Sequence, residues 1–214
     1  MISKTNEEIF NILNKNIPNP KTELIYSSNF ELLVAVMLSA QCTDKRVNQV
    51  TKVLFKKYNT PEHFAKMKQA ELEKLIHSCG FYHNKAKNII AMSNELISKF
   101  NGQVPENFND LCSLSGVGRK TANVMLIVAF NVPAMPVDTH IFRVSNRLGI
   151  ANSNNVNVVE AQIKKAYKDY SSSWGKLHHL LLLHGRYVCK AQTPNCAECY
   201  LAKYCKYYNK KLKG

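Results

Sequence analysis

The sequence predicts an all-α protein of two helical domains, and three observations carry that prediction. Apolar residues recur every three or four positions along nearly the whole chain, the spacing that lines one helix face. Helix-start signatures precede several of these runs, either Ser or Thr three residues before Glu, or Thr followed by Pro. No segment alternates apolar and polar residues between hairpin turns, as half-buried strands would.

The first helix is expected after Thr5, which with Glu8 makes a capping box, and it aligns Ile9, Ile12, Leu13 and Ile17. Ser28 and Glu31 repeat the signature ahead of the apolar run Leu32–Leu38. Thr60-Pro61 sets an N-cap before a proline at the first helical position, and Phe64 and Met67 follow. Asn84 opens a segment carrying Ile89, Ile90, Met92, Leu96 and Ile97, with Gly102 placed to end it. Further helices are expected over 107–113, 119–130, 139–148, 157–170 and 174–187. Asn131-Val132-Pro133-Ala134-Met135-Pro136 cannot continue a helix, and a second break lies at Pro18–Pro20. These breaks divide the chain into a central domain over 22–132 and a second domain built from 1–21 and 133–214. Lys206 to Gly214 reads as a solvated basic tail.

Over 214 residues, 45% are hydrophobic and 21% charged, an ordinary globular composition. The charge balance is not ordinary: 29 Lys+Arg against 15 Asp+Glu give a formal net charge of +14. A basic surface gains affinity by releasing counterions from phosphates, so a nucleic acid is the favoured partner, with an acidic membrane or generic solubility as the competing readings of the charge. The longest apolar runs, Leu32–Leu38 and Val124–Phe130, are too short to span a bilayer. No N-terminal segment resembles a signal peptide. The expectation is a cytoplasmic, monomeric protein without membrane contact, associated with the nucleoid if bacterial.

The chemistry concentrates in Leu114-Ser115-Gly116-Val117-Gly118-Arg119-Lys120-Thr121-Ala122 and, eighteen positions after Lys120, Asp138. Gly116 and Gly118 can both take positive φ and admit another backbone closely. Leu111 and Leu114 before the turn, and the apolar Ala122–Phe130 helix after it, fit a helix-hairpin-helix. The amides that follow, at a helix N-terminus, form an anion site, so Gly116, Val117, Gly118 and Arg119 are candidate contacts to a DNA backbone. A Gly-x-Gly alone would also suit an ordinary helix corner. Lys120, on the first helical turn, is either a phosphate contact or a nucleophile: the positive end of a helix and burial both favour a neutral amine, able to attack a sugar carbon. Asp138 has the sequence position of an N-cap before Thr139. The helix over 119–130 rises roughly 18 Å at 1.5 Å per residue. The stretch to Asp138 extends up to roughly 26 Å, so the chain is long enough to return a carboxylate to Lys120.

Seven cysteines in a reducing compartment do not suggest a disulfide framework. Cys189, Cys196, Cys199 and Cys205 follow C-x6-C-x2-C-x5-C, a tetrathiolate spacing open to zinc or iron–sulfur on coordination chemistry alone. Arg186, Lys190, Lys203 and Lys206 place positive charge near that loop. Cys42, Cys79 and Cys112 read as small core residues in apolar helices, and His178, His179 and His184 as helix residues rather than metal ligands.

Leu114–Ala122, Val137-Asp138-Thr139-His140 and the C-terminal cysteines together resemble the endonuclease III family of DNA glycosylases, from Ser39-Ala40-Gln41 to Cys205. The resemblance implies two helical domains with a DNA-binding cleft between them and a [4Fe-4S] cluster held by the four cysteines of loop 189–205. It implies Lys120 as the Schiff-base nucleophile and Asp138 as the catalytic carboxylate. Gln41 takes the position of a gap-filling residue; on its own it would read as a polar helix terminus. Phe81 takes that of an intercalating wedge, commonly leucine in relatives, and otherwise reads as a core aromatic. Lys85 touches phosphate or covers a helix face. The implied activity is excision of oxidised pyrimidines from damaged double-stranded DNA, with strand cleavage by β-elimination. The competing readings are a monofunctional mismatch glycosylase of the same fold, which typically lacks a lysine at the position of Lys120, and a non-catalytic helix-hairpin-helix module with a structural metal.

Overall fold

A computed structural model describes residues 2–212, with the side chain of position 211 outside the described set. Every regular element among the described residues is helical. The chain divides into two units, one of Glu23–Asn131 and one of Met1–Thr22 with Val132–Gly214.

In the unit over Glu23–Asn131, helix α2 (Asn29–Ser39) is the core element. Leu32, Leu33, Val34, Ala35 and Leu38 are fully buried, each leucine contributing about 1.5–3 kcal/mol by leaving water. An apolar helix of this kind needs cover on all sides, and α3 (Asp44–Leu54), α6 (Tyr82–Phe100) and α8 (Arg119–Ala129) supply it. The short helices α4 (Pro61–Ala65) and α5 (Gln69–Ile76) pack on α6, and Phe64 meets Phe30 edge-on at 5.5 Å. Ser28 caps α2 as expected, its hydroxyl accepting from Glu31 N, while the Glu31 carboxylate accepts from Ser27 N at 2.6 Å. Thr60-Pro61 also opens its helix as expected. Helices α3 and α5 were not anticipated. The long helix begins at Tyr82 rather than Asn84, because Phe81 takes the left-handed conformation just before it. Asn101 and Gly102, both at positive φ, end it, and Gly102 N donates to Leu96 O at 2.9 Å. Helix α7 (Phe108–Cys112) completes the unit, capped by Asn107.

In the other unit, α1 (Lys4–Asn16) begins two residues earlier than the Thr5 signature suggests. Ser3 is the cap and accepts from Asn6 N, while the Ile2 amide just before it reaches Asp169 Oδ2 at 2.7 Å. Helix α11 (Trp174–Tyr187) packs against α1 and α9 (Thr139–Leu148), and α10 (Val156–Ala166) also packs on α9. The helix expected over 157–170 stops at Ala166, giving way to a 3-10 turn over Lys168–Ser173. Ile9, Leu13, Ile141, Val144, Val159, Ile163, Leu177 and Leu180 fill the core. Gly185 sets the spacing of α9 and α11, since a Cβ there would lie 2.9 Å from His140 Cβ and 3.0 Å from Val144 Cγ2. The basic tail is not wholly irregular: Lys206–Lys211 form α12 against α9, and residues 213–214 lie outside the described residues.

Candidate functional site

The hairpin between α7 and α8 is anchored from beneath by buried Leu111, Leu114 and Val117. Its two glycines do different things. Gly116 sits at φ +76, and a Cβ there would lie 2.7 Å from Asn88 Cβ and 2.9 Å from Met37 Cε, so the fold itself requires glycine. Gly118 departs from expectation: its φ is −88, an ordinary extended value, and a Cβ there would meet open space. Sequence reading missed Glu95, whose carboxylate accepts from Ser115 N at 2.7 Å and Ser115 Oγ at 2.8 Å, clamping the hairpin to α6. Gly118 caps α8 without a side-chain acceptor, and the first turn of α8 carries no acidic residue. That turn therefore keeps its positive end toward any approaching anion. The Arg119 guanidinium lies over the Phe108 ring at 5.4 Å. Lys120 is exposed on the same turn, so the expected burial is absent.

Asp138 belongs to the other unit. It is half-buried and caps α9, with Oδ1 accepting from Ile141 N at 2.8 Å, which holds the carboxylate in one orientation. Two residues earlier, Pro136 O lies 2.9 Å from His178 Nδ1, a bond made by the Nδ1–H tautomer. Buried His178 and His179 thus serve helix packing; His179 Nδ1 contacts Gly175 O, and burial pushes its pKa down.

Gln41 follows the end of α2 and Phe81 precedes α6. Both are exposed at positive φ, +53 and +47, and Phe81 is 64% exposed, so it is not a core aromatic. Lys85 neither lies on the surface nor faces a phosphate site. It is buried, and its Nζ donates to three main-chain carbonyls. Cys42 lies in the turn after α2 rather than in a helix, half-buried beside buried Cys79.

Cys189, Cys196, Cys199 and Cys205 line one pocket with Arg147, His184 and Tyr207. Among the described residues no three His, Cys, Asp or Glu side chains converge closely enough for a single metal ion. Burial, with the neighbouring cysteine sulfurs adding to it, pushes the Cys199 and Cys205 thiols up. Two arginines one turn apart on α9 hold the loop's first cysteine. Arg143 donates to Cys189 O at 3.0 Å and Gly185 O at 2.8 Å. Arg147 donates to Cys189 Sγ at 3.4 Å, Lys190 O at 2.7 Å and Ala191 O at 2.8 Å, and stacks on Tyr207. Sequence reading missed both, although their i, i+4 spacing on an amphipathic helix was a usable signal. His184 is buried beside Cys199 and hydrogen-bonds Tyr200 Oη at 2.9 Å; burial pushes its pKa down to about 4.

Comparison with known proteins gives the family. Residues 34–169 match the family model described as HhH-GPD superfamily base excision DNA repair protein. The chain is 50% identical over 203 residues to endonuclease III of Rickettsia felis, covering 94% of each chain. It is 50% identical over 189 residues to that of Bacillus subtilis, covering 88% of this chain and 86% of the relative. Its backbone superposes on a trapped covalent intermediate of endonuclease III with DNA at a TM-score of 0.92, with 45% identity, covering 99% of this chain and all of the other. The chain belongs to the HhH-GPD superfamily of base excision DNA repair proteins.

Proposed function

We propose that this chain is a DNA glycosylase and abasic-site lyase of base excision repair that removes oxidised pyrimidines from duplex DNA. One observation carries the reading. Lys120 is an exposed primary amine on an uncapped helix N-terminus behind a glycine hairpin, in a chain 45% identical to an endonuclease III captured covalently on DNA.

The hairpin amides and basic surface hold the phosphates, and open space at Gly118 lets the DNA backbone come close. Phe81 wedges into the stack and Gln41 fills the gap as the damaged nucleotide turns out. Oxidised pyrimidines have lost aromaticity and stack weakly, so their extrusion costs less. The neutral Lys120 amine attacks C1′, and the base leaves with the electron pair of the C1′–N bond and takes up a proton. The sugar ring opens to an iminium linking Nζ to C1′. Loss of a C2′ proton then expels the 3′ phosphate and cuts the strand 3′ to the lesion. The Asp138 carboxylate stabilises positive charge on the sugar and assists transfer of the Lys120 proton.

Cys189, Cys196, Cys199 and Cys205 would hold a [4Fe-4S] cluster: four thiol donors line one pocket, the donor set such a cluster takes. Bound there, it would cross-link loop 189–205, a structural role. Incubation with duplex DNA carrying thymine glycol tests the reading through base release and strand cleavage together. Base release without a nick would mark a monofunctional glycosylase, and neither product would mark a DNA-binding module.

A further inference from the structure

Gln41 and Phe81 project from two separate loops of one unit, and a single buried cation joins those loops. Lys85 Nζ donates to Leu38 O at 2.8 Å, Ala40 O at 2.7 Å and Cys79 O at 2.7 Å. An ammonium carries three donors, so these bonds use its full capacity. Leu38 and Ala40 lie at the end of α2, where carbonyls lack helical partners and a cation is favoured by the helix dipole. Ala40 is the residue before Gln41, and Cys79 is two residues before Phe81. Desolvation opposes the charge and pushes the Lys85 pKa down, so the three carbonyls must offset a real cost. An apolar residue at position 85 would leave three polar carbonyls without this donor. The loops also hold conformations that need support, since Gln41 and Phe81 are both left-handed non-glycine residues and Gly80 lies at φ +62, ψ 155.

We propose that Lys85 is a positioning residue for base extrusion: its ammonium fixes the loops of Gln41 and Phe81 as one rigid pair, so that both side chains enter the duplex in register. The proposal rests on the glycosylase–lyase reading and on the roles given there to Gln41 and Phe81. It separates extrusion from chemistry, because β-elimination at an abasic site in single-stranded DNA requires no base to be flipped.

The test compares wild type with Lys85→Met, each loaded with its cofactor, on two substrates: thymine glycol in duplex DNA and an abasic site in single-stranded DNA. The expected result is a fall of about tenfold or more in kcat on the duplex, with single-strand cleavage within about twofold of wild type. A 2-aminopurine beside the lesion should show a correspondingly slower unstacking signal. Equal losses on both substrates, or no loss on the duplex, would overturn the role of Lys85 while leaving the enzyme reading intact. An inert wild type on both substrates would instead overturn the enzyme reading and this role with it. Should Lys85→Met not fold, the exposed-side-chain variants Gln41→Ala and Phe81→Ala keep the test open. A rigid pair predicts a double variant within about twofold of the worse single, and losses that simply multiply would contradict it.

Discussion

Gly116 and Gly118 stand two positions apart in the same hairpin and make opposite predictions. At Gly116 an alanine meets both a left-handed backbone and side chains of α2 and α6, so Gly116→Ala should cost about 2 kcal/mol or more of stability. At Gly118 the backbone is ordinary and the space open, so Gly118→Ala should change stability by no more than about 1 kcal/mol, yet weaken duplex binding. Thermal melts beside fluorescence-anisotropy titrations separate the two, and similar melts for both variants would contradict the assignment. Glu95→Ala removes two hydrogen bonds to Ser115 and should lower stability by about 1–3 kcal/mol, measured in the same melts. The sequence marked this hairpin but treated its glycines alike. What distinguishes them comes from Met37 and Asn88, and what clamps them from Glu95, all distant along the chain.

Helices were legible where a cap and an apolar run coincided, as at Ser28 and Thr60-Pro61. They were misread where two caps competed, as Ser3 and Thr5 did: Ser3 takes the cap by accepting from Asn6 N, and both are residue types that favour a cap. The start of α6 was hidden for a different reason: a phenylalanine in the left-handed region is a poor local choice that propensity does not anticipate. The cysteine spacing announced its loop, but the arginines that grip it did not. Arg147→Met should leave helical content unchanged while lowering bound iron per chain and the visible cluster absorbance; undiminished iron would contradict its role. Helix α11 also makes stability depend on acid. Burial holds the folded pKa of His179 below the ordinary histidine value of about 6.5, so it stays neutral in the fold while the unfolded chain takes up a proton. Stability is therefore fully present above about pH 6.5 and falls as pH drops below it, through a window ending at the lowered folded value. The melting temperature should be lower at pH 5 than at pH 7.5, with buried His184 of the same helix adding to the gap, and His179→Gln should shrink it. A pH-independent melt would contradict it.

At the scale of the whole molecule, the +14 charge predicts duplex binding that weakens steeply with added salt, a property shared by catalyst and simple binder alike. No helix among the described residues is long and apolar enough to cross a membrane. The candidate catalytic groups come from separate units, Lys120 from the one over Glu23–Asn131 and Asp138 from the other. Their sequence spacing allowed them to act together, whereas their separate local duties, helix start and helix cap, are what the fold displays. Chemistry, rather than shape, decides between those duties. Borohydride trapping on duplex DNA with an abasic site decides it most directly. The account predicts a covalent protein–DNA adduct for the wild-type chain, with the sugar remnant on the peptide that holds Lys120, and no adduct for Lys120→Ala. An adduct that persists in Lys120→Ala, or cleavage by wild type without any trapped adduct, would contradict it.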